Sequence, residues 1–307
     1  MSVNMSSALP LATITPTPER ILQRLDWKVI RRLDGLLQGE YRTLFFGTGI
    51  DFTDLREYQP QDDIRHIDWN VTARLNSPYV RQYVEDREIT AWFLLDLSPS
   101  MGFGPEQRSK QMVLIDFVAT MARLLTRNGN RVGAILFNNR VDKIIPPLGG
   151  RNQVLRIIRD LLNQPSKKGG TTTDLNLLVH AALNTIKRHS FIFLISDFFS
   201  QPGWERPLSL LNRRNELLAI RMWDPREVKI PNAGFIVVED AESGEQLYVD
   251  TGDPEFHRRF HQIHSLREKA LQENLRQVGI SMFSFSTEED LVRAIVRMAA
   301  LRKKQRR

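Results

Sequence analysis

Short apolar runs alternate with amphipathic segments along most of the chain, and this alternation predicts a β-sheet with helices packed on it. Residues 91–95 are all apolar, as expected of a strand that is buried on both faces, and an amphipathic helix is predicted after them at about 106–127. Further strands are predicted at 131–137, 141–145, 191–196, 217–223 and 280–285, and further helices at 152–162, 174–187, 204–212, 254–277 and from 288 onward. Because strands and helices alternate, the predicted fold class is α/β, with a doubly wound, mainly parallel sheet that carries helices on both faces.

Two regions depart from this alternation. Apolar residues at helical spacing between Glu19 and Leu36 predict an N-terminal amphipathic helix, which Gly39 would end. Two strand-like runs at 235–239 and 246–249 predict an inserted β-hairpin near 232–251. The predicted organisation is therefore a disordered tail (1–18), a helix followed by a small β-rich segment (19–90, with a strand at 79–84), an α/β domain (91–302) and a basic tail (303–307).

The composition is typical of a soluble globular protein, with 41% hydrophobic and 26% charged residues. Cys is absent from all 307 residues, which excludes disulfides, thiol nucleophiles and metal centres with Cys ligands. No apolar run reaches the roughly 18 residues that a membrane-spanning helix needs. The first dozen residues lack the basic start and apolar stretch of a secretory signal. We therefore expect a soluble cytoplasmic protein.

The net charge of +7 is concentrated at the C-terminus. Residues 291–307 contain seven basic side chains and no acidic ones, so the rest of the chain is close to neutral. Such a segment can contact nucleic acid, but it is more often a solvated helix end, where cations also interact favourably with the helix dipole. Nucleic-acid binding through the basic C-terminus is therefore an alternative hypothesis rather than the main one.

Oxygen-bearing side chains stand at the ends of two predicted strands and at the start of one predicted helix. They are Asp96, Ser98, Ser100, Asp197 and a threonine of the run Thr171–Thr173. Because ligands bind at the carboxyl ends of the strands in an open parallel sheet, we expect these side chains to converge. Oxygen ligands suit Mg²⁺ or Mn²⁺, and a set with few carboxylates leaves coordination positions for water or an incoming acid. Any one of these segments could be only a helix cap, but the three together favour a metal site.

The Asp-x-Ser-x-Ser motif, the Gly-Gly-Thr loop and the strand-terminal Asp197 resemble the metal-ion-dependent adhesion site of von Willebrand factor A domains. The resemblance covers about residues 91–302 and implies a doubly wound α/β domain. It also implies a divalent ion, Mg²⁺ or else Mn²⁺ or Ca²⁺, that holds an acidic residue of a protein partner. Asp96, Ser98 and Ser100 would then be ligands from the first strand, and Asp197 would act directly or through water.

Two ways of counting leave the threonine ligand open. Counting from the two glycines of the loop selects Thr171, whereas counting back from the helix start at Asp174 selects Thr173. We favour Thr171 slightly and keep Thr173 as the alternative.

The stretch 51–74 resembles the signature of the "domain of unknown function 58" family, although Gln61 stands where that family usually has Gly. This bacterial and archaeal family carries an A-domain-like module and is typically encoded beside MoxR-type AAA+ ATPases. Charged residues of the stretch are predicted to form an ion-pair network around a buried Trp69. They are Asp62, Asp63, Arg65, Asp68 and Arg74. We interpret the network as a clamp that fastens the N-terminal segment to the A-like domain, with partner docking as the alternative.

The resemblance implies a protein-interaction module without enzymatic activity. Its partner would be a MoxR-type AAA+ ATPase or a client of that ATPase, for which the protein would be an adaptor or chaperone-like partner. A strand-terminal Asp with Mg²⁺ also describes haloacid-dehalogenase-like phosphohydrolases, but their acid/base Asp is replaced here by Ser98, which cannot act as a carboxylic acid. The sequence contains no P-loop, no nucleophile elbow and no dinucleotide-binding fingerprint. His257, His261 and His264 share a helix face, and we interpret them as surface residues rather than zinc ligands.

Overall fold

The computed structural model of the protein describes residues 17–36, 55–60, 62–64, 67–75, 77–81, 88–105, 108–164 and 172–305. Its strands are β1 (Leu55–Glu57), β2 (Tyr79–Arg81), β3 (Thr90–Asp96), β4 (Arg131–Phe137), β5 (Val141–Leu148), β6 (Phe191–Ser196), β7 (Glu216–Trp223), β8 (Phe235–Glu239), β9 (Gln246–Asp250) and β10 (Ser281–Ser286). Its helices are α1 (Pro18–Leu25), α2 (Arg31–Leu36), α3 (Trp69–Leu75), α4 (Lys110–Arg127), α5 (Gly150–Leu162), α6 (Leu175–Thr185), α7 (Glu205–Arg214), α8 (Pro254–Gln277) and α9 (Leu291–Gln305). A turn of π-helix (Asp26–Ile30) joins α1 to α2, and 3-10 turns occupy Pro99–Gly102 and Pro225–Glu227.

Six strands form the central sheet in the order β10-β7-β6-β3-β4-β5. Every neighbouring pair is parallel except β4 and β5 at one edge, which are antiparallel. From β3 the chain adds β4 and β5 on one side and later adds β6, β7 and β10 on the other, so the strand order changes direction between β3 and β6. That junction is the position at which open α/β sheets bind ligands. The predicted doubly wound, mainly parallel fold is confirmed.

Helices cover both faces of this sheet, and β3 shows why its sequence is apolar throughout. Because successive strand residues point to opposite faces, Phe93 and Leu95 pack with α1, α2, α4, α5 and α9, while Trp92 and Leu94 pack with α6 and α7. Phe93 also stacks on Phe193 of β6, with ring centroids 5.0 Å apart. The two apolar layers fix β3 and β6 side by side and so set the position of the residues that follow them.

Element boundaries differ from the predictions where caps, rather than apolar spacing, decide them. The helix predicted from 106 begins at Lys110, because the Ser109 side chain caps it by accepting the N–H of Met112 at 3.4 Å. The last helix begins at Leu291 rather than 288, and Asp290 accepts the N–H of Arg293 at 3.0 Å. The predicted hairpin is confirmed, with β8 and β9 antiparallel. The predicted disordered tail, apart from its last two residues, and the predicted stop at Gly39 lie outside the described residues.

The prediction of a buried Trp69 is wrong, because its side chain is 67% exposed. Trp69 opens the short helix α3, where the preceding Asp68 is buried and accepts the N–H of Val71 at 3.3 Å. Asp62 accepts the N–H of Gln59 at 2.9 Å. The polar side chains at these two positions therefore serve a turn and a helix start. The ion-pair network stays a prediction, because Arg65 lies outside the described residues.

The basic C-terminal helix uses part of its charge within the molecule. Arg302, expected at a solvated helix end, is instead buried and pairs with Glu216 of β7. Arg297 pairs with Glu289, with Nη2 and Oε2 2.6 Å apart. None of the helices in the described ranges has the length and apolar content that crossing a membrane requires.

Candidate metal-binding site

Two carboxylates meet at the junction between β3 and β6. Leu95 of β3 pairs with Ile195 of β6, so the two parallel strands end at the same level of the sheet. Asp96 is the last residue of β3, and Asp197 directly follows β6. Both are buried, and each depends on the surrounding polar groups for its interactions, because an uncompensated buried charge is costly.

The turn after β3 gathers hydroxyl groups around Asp96. One carboxylate oxygen of Asp96 accepts the N–H of Ser98 at 2.9 Å, and the other accepts the hydroxyl of Ser196 at 2.6 Å. The 3-10 turn at Pro99–Gly102 then brings the Ser100 hydroxyl back, so that the hydroxyl oxygens of Ser98 and Ser100 are 3.2 Å apart. The predicted convergence of the Asp-x-Ser-x-Ser side chains is what this turn produces locally.

Electrostatics at Asp96 are set by burial and by the second carboxylate. Burial, and then the negative charge of Asp197, raise the pKa of Asp96 to about 7, although hydrogen bonds from Ser196 and Ser98 act in the opposite direction. Removing a carboxylate from water favours its neutral form, and a nearby like charge does the same. A divalent cation at this point would favour the ionised form, because the charge of the ion opposes both effects.

A buried lysine, which the sequence analysis did not single out, neutralises Asp197. The Nζ of Lys110, at the first residue of α4, donates to Asp197 Oδ2 at 2.7 Å and also pairs with Glu227. Its side chain is fully buried. Burial by itself would lower the pKa of Lys110, but the charges of Asp197 and Glu227 raise it above its usual value. The other oxygen of Asp197 accepts the N–H of Phe199 at 3.0 Å.

The start of α6 supplies a buried threonine to the same region. Thr173 donates its backbone N–H to Glu242 Oε2 at 2.6 Å and its hydroxyl to Glu242 Oε1 at 2.7 Å. Burial raises the pKa of Glu242 and the charge of Asp197 adds to the rise, whereas the bonds from Thr173 and the nearby Ser100 hydroxyl lower it. Glu242 therefore links Thr173, the alternative threonine, to the surroundings of Asp197 and Ser100, whereas Thr171 lies outside the described residues.

Comparison with known proteins places the chain among its relatives. The family model described as "Protein of unknown function DUF58" matches residues 54–270, which is more than two thirds of the chain. The chain belongs to this family. An uncharacterized protein of Mycobacterium tuberculosis is 33% identical to it over 283 residues, which cover 92% of this chain and 89% of that protein.

Solved structures similar to this DUF58 chain include the conserved hypothetical protein BatB from Bacteroides thetaiotaomicron. The two are 15% identical with a TM-score of 0.47, over 70% of this chain and 99% of that chain. Proximal thread matrix protein 1 from the mussel byssus, solved with a zinc-occupied MIDAS motif, is 18% identical with a TM-score of 0.36, over 44% of this chain and 38% of that chain. The identification of a DUF58 protein is confirmed by the family model.

The donor set of the DUF58 chain fits a hard divalent cation. Every side-chain donor is a carboxylate or hydroxyl oxygen, the ligand type that Mg²⁺ and Mn²⁺ prefer. Neighbouring ligands of an octahedral Mg²⁺, with bonds of about 2.1 Å, lie about 3 Å apart, and the Ser98 and Ser100 hydroxyl oxygens are 3.2 Å apart. Within the described ranges no group of three or more His, Cys, Asp or Glu is placed to hold a metal ion, so an ion at this site would depend on hydroxyl oxygens as well as carboxylates.

Proposed function

We propose that this DUF58 protein is an interaction module without enzymatic activity, which binds an acidic residue of a protein partner through a divalent cation. Mg²⁺ is the proposed ion, with Mn²⁺ or Ca²⁺ as substitutes. The observation that supports this most strongly is the convergence of Asp96, Ser98 and Ser100 at the junction of β3 and β6. Because hydroxyl ligands are neutral and Asp96 supplies one negative charge, a divalent ion keeps a net positive charge and attracts a further carboxylate.

Each residue is given a role that follows from its contacts. Asp96, Ser98 and Ser100 would hold the ion from β3. Thr173, rather than Thr171, is proposed as the threonine ligand, because its buried hydroxyl bonds to Glu242, a carboxylate near enough to Ser100 and Asp197 for both to shift its pKa. Asp197 would act through water, since its two oxygens already accept bonds from Lys110 and Phe199.

Several contacts favour binding over the alternative functions. Phosphohydrolase chemistry would need a carboxylic acid two residues after Asp96, and Ser98 stands there. Nucleic-acid binding through α9 would compete with the ion pairs of Arg297 and Arg302. The family resemblance supports a MoxR-type AAA+ ATPase or its client as the partner, with the protein as an adaptor or chaperone-like component in the cytoplasm.

Calorimetric titration with Mg²⁺ and with Mn²⁺ tests this proposal. We expect about one ion per chain in the wild type and an affinity at least about 100-fold lower in Asp96→Asn, because the variant loses the carboxylate that is proposed to hold the ion from β3. Asp34→Asn is the matched control, since Asp34 pairs with Arg127 and the two side chains are 47% and 43% exposed. Equal metal affinity in Asp96→Asn and the wild type would refute the site.

A further inference from the structure

The turn of the β8–β9 hairpin brings a carboxylate of the chain itself to the candidate site. Glu242 lies in this turn, 69 residues after Thr173, yet both of its oxygens accept bonds from Thr173, at 2.6 and 2.7 Å. The Ser100 hydroxyl is near enough to lower the pKa of Glu242, and Asp197 is near enough to raise it. Ser100 and Thr173 are two of the proposed metal ligands, so the carboxylate of Glu242 lies where an acidic group of a partner would approach the ion.

The turn that carries Glu242 is well defined by its own hydrogen bonds. One oxygen of Asp240 accepts the N–H groups of Glu242 at 3.0 Å and of Ser243 at 2.6 Å. The Ser243 hydroxyl donates to the same oxygen at 2.9 Å, and Gly244 takes a positive φ of 73° that glycine adopts without strain. A turn fixed in this way presents Glu242 in one direction rather than leaving it free to move in solvent.

Most of the hairpin lies in solvent, although Val249 near the end of β9 is buried. Phe235 is 84% and Tyr248 80% exposed, and Leu247 is exposed as well. Glu242, by contrast, is half-buried against the body of the domain. The contact between Glu242 and the site is therefore a specific polar anchor at the tip of a mostly exposed element whose buried residue, Val249, lies at the other end of β9. The tip of such an element can leave its contact without disrupting the core.

The negative charges around Glu242 indicate the function of its contact with the site. Glu242 adds a fourth carboxylate to the region of Asp96, Asp197 and Glu227, where the ammonium of Lys110 is shared between Asp197 and Glu227. Like charges in a buried region repel one another unless a cation lies among them. We infer that Glu242 is a tethered internal ligand of the bound cation. It occupies the coordination position that a partner carboxylate takes when the hairpin moves away. This inference rests on the proposed function and adds its regulation.

A tethered carboxylate has a measurable effect on external acids. Its effective concentration is on the order of millimolar or higher, so an external carboxylate must compete with it. The apparent affinity for that carboxylate is reduced by the fraction of molecules in which the position is open. Removing the charge of Glu242 should therefore increase the affinity of the metal-loaded protein for a simple carboxylate by about 10-fold or more.

Water-proton relaxation with Mn²⁺ tests the inference on the full chain, with acetate as the probe. At saturating Mn²⁺, we expect Glu242→Gln to show a higher relaxivity than the wild type, because a coordination position becomes open to water. Acetate should lower that relaxivity at concentrations at least about 10-fold below those needed with the wild type. Glu245→Gln, a change of the same kind in the same turn, should behave as the wild type.

The outcomes separate this inference from the proposed function. If all three proteins bind Mn²⁺ with the same relaxivity and the same response to acetate, Glu242 is not an internal ligand, although the metal site stands. If the wild type binds no Mn²⁺, both the site and the inference are refuted. Hydrogen exchange of the Thr173 amide gives a second measurement, since its N–H donates to Glu242. It should exchange faster in Glu242→Gln than in Glu245→Gln, and equal rates would contradict the contact.

Discussion

Replacing Lys110 by Met is expected to lower the free energy of unfolding by about 3–5 kcal/mol, the range seen when one partner of a buried ion pair is removed. The ammonium of Lys110 is fully buried and lies 2.7 Å from Asp197 Oδ2. Its second partner, Glu227, is also largely buried. Met fills much of the volume of the lysine stem, so the loss comes mainly from two carboxylates left without a counter-charge rather than from a cavity.

Denaturant unfolding in EDTA measures this loss independently of any metal. The control is Arg127→Met, which removes a cation 2.9 Å from Asp34 Oδ2 in a pair whose side chains are 43% and 47% exposed. Exposed pairs contribute about 1 kcal/mol or less, so the control should lose little. Similar losses in both variants would mean that Lys110 is not the counter-charge that allows Asp197 to be buried at the end of β6.

The sheet and half of the candidate site could be predicted because their determinants are local in sequence. An apolar run such as 91–95 identifies a strand covered on both faces whatever its neighbours are. The residues after a strand necessarily lie at its carboxyl end, which places Asp96 and Asp197. The turn that brings Ser98 and Ser100 together is likewise contained within five residues.

The charged residues around the site could not be predicted because their partners are distant in the chain. Lys110 meets Asp197 across 87 residues, and Glu242 meets Thr173 across 69. In sequence, Lys110 is an ordinary residue at a helix start, and Glu242 belongs to a polar hairpin turn, where acidic residues are common. Trp69 shows the opposite error: a large aromatic residue suggests burial, but a short surface helix exposes it.

Replacing Phe193 by Ala is expected to cost about 3–5 kcal/mol in the free energy of unfolding. Phe193 is fully buried in β6 and stacks on Phe93, with ring centroids 5.0 Å apart. It also meets Phe191 at 4.6 Å and the edge of Phe117 at 6.3 Å. Alanine would remove these contacts and leave a cavity that three rings, held by separate elements, cannot close completely.

Chemical denaturation of Phe193→Ala is compared with that of Phe235→Ala, which makes the same substitution at an exposed position. The difference between the two losses of stability is the effect of packing. Phe235 is 84% exposed on the hairpin, so its loss should change stability by no more than about 0.5 kcal/mol. Below the unfolding transition, the folded fraction of Phe193→Ala should still bind Mg²⁺ as the wild type does, because Asp96 and Ser98 are fixed by the end of β3 and its own turn. A loss of Mg²⁺ affinity in the folded protein would mean instead that the aromatic contact between β3 and β6 sets the spacing of Asp96 and Asp197. The site would then depend on the core as well as on the strand ends.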